Sequence, residues 1–124
     1  IDSFHQNLCA TLDELHTGES HPADQTLRGG TQTHGDLFGR RRPAITQVRK
    51  SIEQCVRAYI AEMENDPQHP LLSRKEDDFH FAASWSCRLQ REGFHTNHVH
   101  PKGWISSCYY VSLPDVVKNG TDQK

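Results

Sequence analysis

The apolar residues that follow Pro43 recur at the spacing of an α-helix, and this pattern constrains the fold more than any other. They come every three or four positions until the 65–67 segment, Asn-Asp-Pro, interrupts the run. Proline is favoured at the first position of a helix, where an N–H would have no partner. The sequence therefore predicts a helix that begins at Pro43 and ends before Asn65. The apolar side chains of its stripe are Ile45, Val48, Ile52, Cys55, Val56, Tyr59, Ile60 and Met63.

A second apolar stripe predicts another helix near the N-terminus, ended by Gly18. Its members are Ile1, Phe4, Leu8, Leu12 and Leu15. Residues 17–42 lie between the two helices. They are rich in glycine, threonine, histidine and charge without a sustained period, so we expect a long surface loop. Within it, the run from Arg28 to Thr33 is either a loop that covers substrate or a plain structural turn.

Two later segments alternate with the period of a β-strand. In residues 84–90 one predicted face carries Trp85, Cys87 and Leu89. A second run covers Trp104 to Leu113, bounded by a glycine and a proline. Two helices followed by strands predict an α+β fold, with the helices packed on one face of a sheet or barrel. The exposed edges of a sheet this small need partners, which is compatible with a homodimer.

Composition limits the class of protein. A chain of 124 residues fits one domain, and a formal net charge of −2 gives no reason to expect a nucleic acid or an acidic membrane surface as partner. We expect a cytoplasmic protein, because the sequence has neither a secretory signal nor a membrane-spanning apolar run. Four widely spaced cysteines are interpreted as reduced core residues. The three arginines before Pro43 are either solvated or face an anionic partner.

The segment FHTNHVHPKGW, residues 94–104, concentrates three histidines. In a strand, His98 and His100 would face the same side and could converge on iron, zinc, copper or nickel. His95 is out of phase with them and is the weaker candidate. A cupin-type site would need a carboxylate soon after the pair, and a histidine-triad hydrolase a histidine at position 102; the sequence has neither. From spacing alone, a metal site and a solvated strand end are equally supported.

Residues 97–114, NHVHPKGWISSCYYVSLP, resemble the signature of a family of 2-oxoglutarate/Fe(II)-dependent oxygenases. Members read approximately Asn-x-His-x-His-Pro, followed by Ser-Gly or Ser-Ser, an aromatic pair and a proline. The upstream runs ASWSCRLQREGFH and DQTLRGGTQTHGDLF are also similar to those of members. The resemblance is spread over most of residues 24–114 and is most specific in the second half.

This resemblance implies a double-stranded β-helix, a jelly-roll-like barrel, in which Fe(II) is held by three side chains and 2-oxoglutarate binds beside it. His98 and His100 would be metal ligands, Ser106 and Tyr110 would hydrogen-bond the 2-oxoglutarate, and Trp104 would wall the pocket. Arg88 would be either a surface charge or an anion partner inside the barrel. A histidine at position 100 replaces the usual carboxylate, and such an all-nitrogen ligand set is less anionic and would bind Fe(II) differently.

The family's distal histidine and 2-oxoglutarate-binding arginine have no counterpart, because the sequence has no histidine after His100 and no arginine after Arg91. We therefore expect residues 1–124 to be one incomplete oxygenase-like domain whose last strands lie beyond Lys124. The favoured function is a non-haem oxygenase of the hydroxylase type that acts on a small molecule or a protein. The alternatives are a non-catalytic β-barrel binding module and a zinc-dependent hydrolase.

Overall fold

The computed structural model describes residues 3–17 and 27–120. This part of the chain is α+β, with three helices and a two-stranded antiparallel sheet. Short 3-10 turns lie at Leu37–Gly39 and Leu72–Arg74. The longer elements are α1 (Ser3–His16), β1 (Leu27–Gln32), α2 (Pro43–Glu62), β2 (Cys87–His95) and α3 (Asp115–Asn119).

Both predicted helices are confirmed, and the stripe of α1 forms the core with the first part of the α2 stripe, whose later members Cys55 and Tyr59 are exposed. Leu8 and Leu12 of α1 cluster with Ile45 and Val48 of α2, and Leu37 closes the cluster from the first 3-10 turn. Leu8 is 1% exposed and Ile45 is 0% exposed, and burial of such a side chain contributes about 1.5–3 kcal/mol. Gly18, the predicted end of α1, lies outside the described residues.

The run from Arg28 to Thr33, predicted as a loop or turn, is instead mostly strand β1. Gln32 pairs with Cys87 and Gly30 with Leu89 in an antiparallel register. A Cβ atom at position 30 would collide with the backbone carbonyl of Arg88, so the close approach of the two strands needs glycine there. Two glycines in six residues also erase the alternation by which a strand is recognised, and the prediction was wrong for this reason.

The strand predicted over residues 84–90 is confirmed in part, because β2 begins only at Cys87 and continues to His95. The strand predicted from Trp104 to Leu113 was wrong, since no β-ladder includes it in the described part of the chain. A strand needs a neighbouring edge for its backbone groups, and β2 pairs with β1 alone. Residues 104–113 are held by other contacts: the His5 imidazole donates to the carbonyl of Val111 at 2.6 Å.

The fold bears on two expectations, one about membrane-spanning helices and one about the cysteines. Across the described ranges, no helix is long and apolar enough to cross a membrane. All four cysteines are free thiols, as predicted. Their interpretation as core residues was wrong, because Cys55 and Cys108 are exposed while Cys9 and Cys87 are half-buried.

Candidate metal-binding site

The imidazole rings of His95, His98 and His100 lie close together where the chain leaves β2, and we call them the histidine row. The ring centroids of His98 and His100 are 4.9 Å apart with an interplanar angle of 85°. The centroids of His95 and His98 are 5.9 Å apart. The structure therefore brings the predicted pair together, although residues 96–100 are an irregular turn rather than a strand. His95, which strand phase made the weaker candidate, lies beside His98 because the turn brings it back.

A hydrogen bond holds His98 in the tautomer that a metal ligand needs. Its Nδ1 atom lies 2.7 Å from the carbonyl oxygen of Thr96. A carbonyl can only accept, so Nδ1 carries a proton, and in the neutral imidazole the lone pair is then on Nε2. Metal-bound histidines commonly have this arrangement, with the second nitrogen donating to a carbonyl or carboxylate. The donor set thus fits a half-site for a metal that accepts imidazole.

The protonation equilibrium of His95 also favours neutral imidazole. Partial burial lowers its pKa below the ordinary histidine value, and the neighbouring His98 lowers it further. A like charge beside a partly desolvated ring disfavours protonation. A neutral ring keeps a lone pair, so His95 meets the chemical requirement for a ligand more readily than an isolated histidine would. Within residues 3–17 and 27–120, however, no three His, Cys, Asp or Glu side chains are grouped so that they could hold a metal ion.

Trp85 connects the histidine row to a cavity. Its ring lies 5.6 Å from that of His100, tilted by 32°. It also lines a cavity of about 300 Å³ together with Gln32, Asp36 and Ser84. The Ser84 hydroxyl donates to the Asp36 carboxylate and is buried. Sequence analysis predicted Trp85 for one face of a strand, and its contact across the turn to His100 has no signal in local periodicity.

The remaining predicted site residues lie elsewhere. The Trp104 indole N–H donates to the carbonyl of Leu71 at 3.0 Å. Ser106 is exposed, and Tyr110 is 70% exposed. Arg88 forms an exposed ion pair with Asp13 of α1. This contact is compatible with the alternative that Arg88 is a surface charge. Over the described residues, no hydrogen bond or ring contact links these four side chains to His98 or His100. Their roles toward co-substrate and substrate stay predictions.

Sequence reasoning missed one buried polar residue, His16, which is 5% exposed. Its two ring nitrogens reach the hydroxyls of Thr31 in β1 and Ser86 just before β2. A signal for it exists: position 16 continues the four-residue steps of Leu8 and Leu12, so it had to lie on the buried face of α1. His16 ties the first helix to the segments that carry the site.

Residues 83–124 match the family described as "Putative 2OG-Fe(II) oxygenase". The matched region covers about a third of the chain, and it includes β2, both His98 and His100, and the 104–113 segment. The C-terminal third is thus similar to this oxygenase family, and the resemblance found in the sequence is confirmed over that range. No curated protein and no solved structure matches the chain significantly.

Proposed function

We propose that this chain carries part of a non-haem Fe(II)/2-oxoglutarate-dependent oxygenase of the hydroxylase type, with His98 and His100 as metal ligands. The observation that carries the proposal is that the matched family segment contains two adjacent imidazoles whose rings lie 4.9 Å apart. The tautomer held by Thr96 supports it, because it leaves the His98 Nε2 lone pair available. One further protein ligand is required, because two imidazoles alone do not complete such a site.

Each side chain then has a defined task. Iron, when bound with 2-oxoglutarate and dioxygen, supplies the oxidising chemistry that converts the co-substrate to succinate and carbon dioxide and hydroxylates the substrate. His98 and His100 hold the metal, and the ring of Trp85 lies beside that of His100, with centroids 5.6 Å apart. Ser106 and Tyr110 donate hydrogen bonds to the co-substrate, while Trp104 and Arg88 contribute to the substrate pocket. The proposal includes a jelly-roll-like barrel and treats residues 1–124 as belonging to one domain.

An anaerobic metal titration tests the ligand assignment. The full chain is titrated with Fe(II), Zn(II) and Co(II), and the same series is run on His98→Ala, His100→Ala and His80→Ala. His80 is exposed and outside the histidine row, so its variant is the matched control. Loss of a ligand should weaken metal binding by at least tenfold, on the scale by which even outer partners of metal ligands act. The His80 variant should bind as the parent does.

Turnover distinguishes the candidate activities. Succinate formed from 2-oxoglutarate in the presence of Fe(II), and lost in both ligand variants, supports the oxygenase. Zinc retained without any succinate would instead assign a zinc-dependent hydrolase. If the folded chain binds no metal, both enzyme assignments are wrong and a non-catalytic binding module is favoured.

A further inference from the structure

An open groove of about 730 Å³ lies where the 3-10 turn at Leu37–Gly39 leads into α2. We name it the basic groove, because five cationic side chains line it. These are Arg40, Arg41, Arg42, Arg49 and Lys50. Phe38 and Pro43 add an apolar part to the same wall. The groove is separate from the histidine row, and none of its lining residues belongs to the family match at 83–124.

The basic groove departs sharply from the charge balance of the rest of the chain. Residues 38–50 carry five positive charges and no negative ones, whereas the whole chain has a formal net charge of −2. All other residues together therefore carry −7. Such a concentration of one sign creates a local positive potential and destabilises the folded chain by self-repulsion. An anionic occupant would relieve this repulsion.

Internal ion pairs neutralise only part of this charge. Arg42 reaches Glu14 of α1 at 2.6 Å, and Arg49 reaches Glu53 one helical turn away at 2.9 Å. Arg40 donates to the carbonyl of His34, and no carboxylate of the described residues forms an ion pair with it. Arg41 and Lys50 are exposed and have no ion-pair partner anywhere in residues 3–17 and 27–120. Among the described residues, three positive charges of the groove therefore have no carboxylate partner.

We propose that the basic groove binds an acidic segment of a partner protein. Guanidinium groups bind carboxylates through two parallel hydrogen bonds, and two of the three groove cations that have no ion-pair partner among the described residues are arginines. Phe38 and Pro43 provide contacts for the apolar stems of a peptide. The Phe38 ring is fixed by an edge-to-face contact with Phe81, with centroids 4.8 Å apart, so the wall is preorganised. This assignment does not depend on the proposed oxygenase function.

A nucleic acid fits the same charges less well. Duplex DNA carries one negative charge per about 1.7 Å, and a strand that continued past this groove would meet a chain whose remaining charge is −7. An acidic segment carries sparser charge, and a short one fits within the groove. The affinities of acidic peptides and of nucleic acids for the groove should therefore respond differently when further anionic residues or nucleotides are added.

Fluorescence anisotropy of the full chain tests the proposal. The probe is a rhodamine-labelled peptide of alternating glutamate and glycine, and the control peptide has glutamine in place of every glutamate. The test variant is Arg41→Gln/Lys50→Gln, which removes two charges that make no internal ion pair. The matched control is Arg91→Gln, an exposed arginine of β2 outside the groove. Circular dichroism confirms that each variant is folded.

We expect the acidic peptide to bind at low salt and the glutamine peptide not to bind. The double variant should lose about tenfold in affinity, since close charge pairs at an interface act on this scale, and added salt should weaken binding further. The Arg91 variant should bind as the parent does. An unchanged affinity in the double variant, or an equal loss in the Arg91 variant, overturns the proposal. Tighter binding of an oligothymidylate than of the peptide would assign the groove to nucleic acid instead.

Discussion

The Nε2 atom of His16 lies 2.9 Å from the hydroxyl oxygen of Ser86, although the two residues are 70 positions apart in the chain. The opposite ring nitrogen lies 2.8 Å from the hydroxyl oxygen of Thr31. One imidazole at the end of α1 therefore joins that helix to β1 and to the residues that precede β2. Because the histidine row follows directly from β2, this contact anchors the strand that positions it.

Replacing His16 should destabilise the fold well beyond an ordinary surface change. His16→Leu removes both hydrogen bonds and deprives two partly buried hydroxyls of a partner, which costs about 2–3 kcal/mol in the free energy of unfolding. Urea denaturation monitored by circular dichroism measures this difference. His80→Leu, at an exposed position, is the control and should change stability by less than about 0.5 kcal/mol. Equal shifts in the two variants would contradict a structural role for the His16 contacts.

Gly30 should not tolerate a methyl group. In Gly30→Ala the new Cβ would meet the backbone of Arg88 and Leu89, and backbone atoms in a paired strand cannot move aside cheaply. We expect a loss of about 1–3 kcal/mol in stability. Gly103→Ala is a matched control, since its nearest neighbour would be 3.7 Å away at ordinary contact distance. A thermal melt in which both alanine variants keep the parent midpoint would be inconsistent with the close strand approach.

The imidazole of His95 should titrate below the ordinary histidine pKa. Burial and the adjacent His98 both lower its pKa, so the folded state binds its proton less readily than the unfolded state does. The contribution of this residue to stability is therefore complete above the unfolded pKa of about 6.5. It decreases as the pH falls below that value.

Proton NMR of the imidazole Cε1–H signals measures the titration. In His98→Ala the His95 midpoint should move part of the way back toward the ordinary value, because the charge contribution is lost while partial burial remains. The same His95 midpoint in parent and variant would show that the two rings do not interact.

The cysteine thiols should react in an order set by burial. Burial raises the pKa of the Cys87 thiol, and the nearby Cys108 adds to the rise while a hydrogen bond with Trp85 opposes it. The thiolate is the reactive form, so iodoacetamide near pH 8 should alkylate exposed Cys55 before Cys87. Mass spectrometry of peptides from a timed reaction gives the order. Faster labelling of Cys87 would mean that β2 opens readily.

The sequence predicted those parts of the fold that depend on local pattern. Pro43 and the apolar spacing after it located the start of α2, because helix stripes report directly on burial. It did not reveal β1, since a strand with two glycines has no alternation and exists only through pairing with β2. The 104–113 segment shows the opposite case. Its alternation is clear, but a strand forms only where another edge accepts its hydrogen bonds.

The candidate site divides in the same way. The rings of His98 and His100 come together as predicted, although the strand on which that prediction rested is an irregular turn. Trp85 and His95 join them through the path of the turn at residues 96–100, and side-chain periodicity carries no information about that path. The ion pair of Arg88 with Asp13 could not be foreseen for a related reason, because it joins β2 to a helix 75 positions earlier in the chain.

The pairing of Gln32 with Cys87 closes a loop that contains the whole of α2. Bringing together two segments separated by this many residues costs loop-closure entropy before any contact between them stabilises the fold. The hydrogen bonds of α2, by contrast, join residues four apart and can form while the loop is still open. We therefore expect the helix to be present in the folding transition state and the ladder to be completed afterwards. The turn that gathers the histidines would be among the last parts of the chain to take its shape.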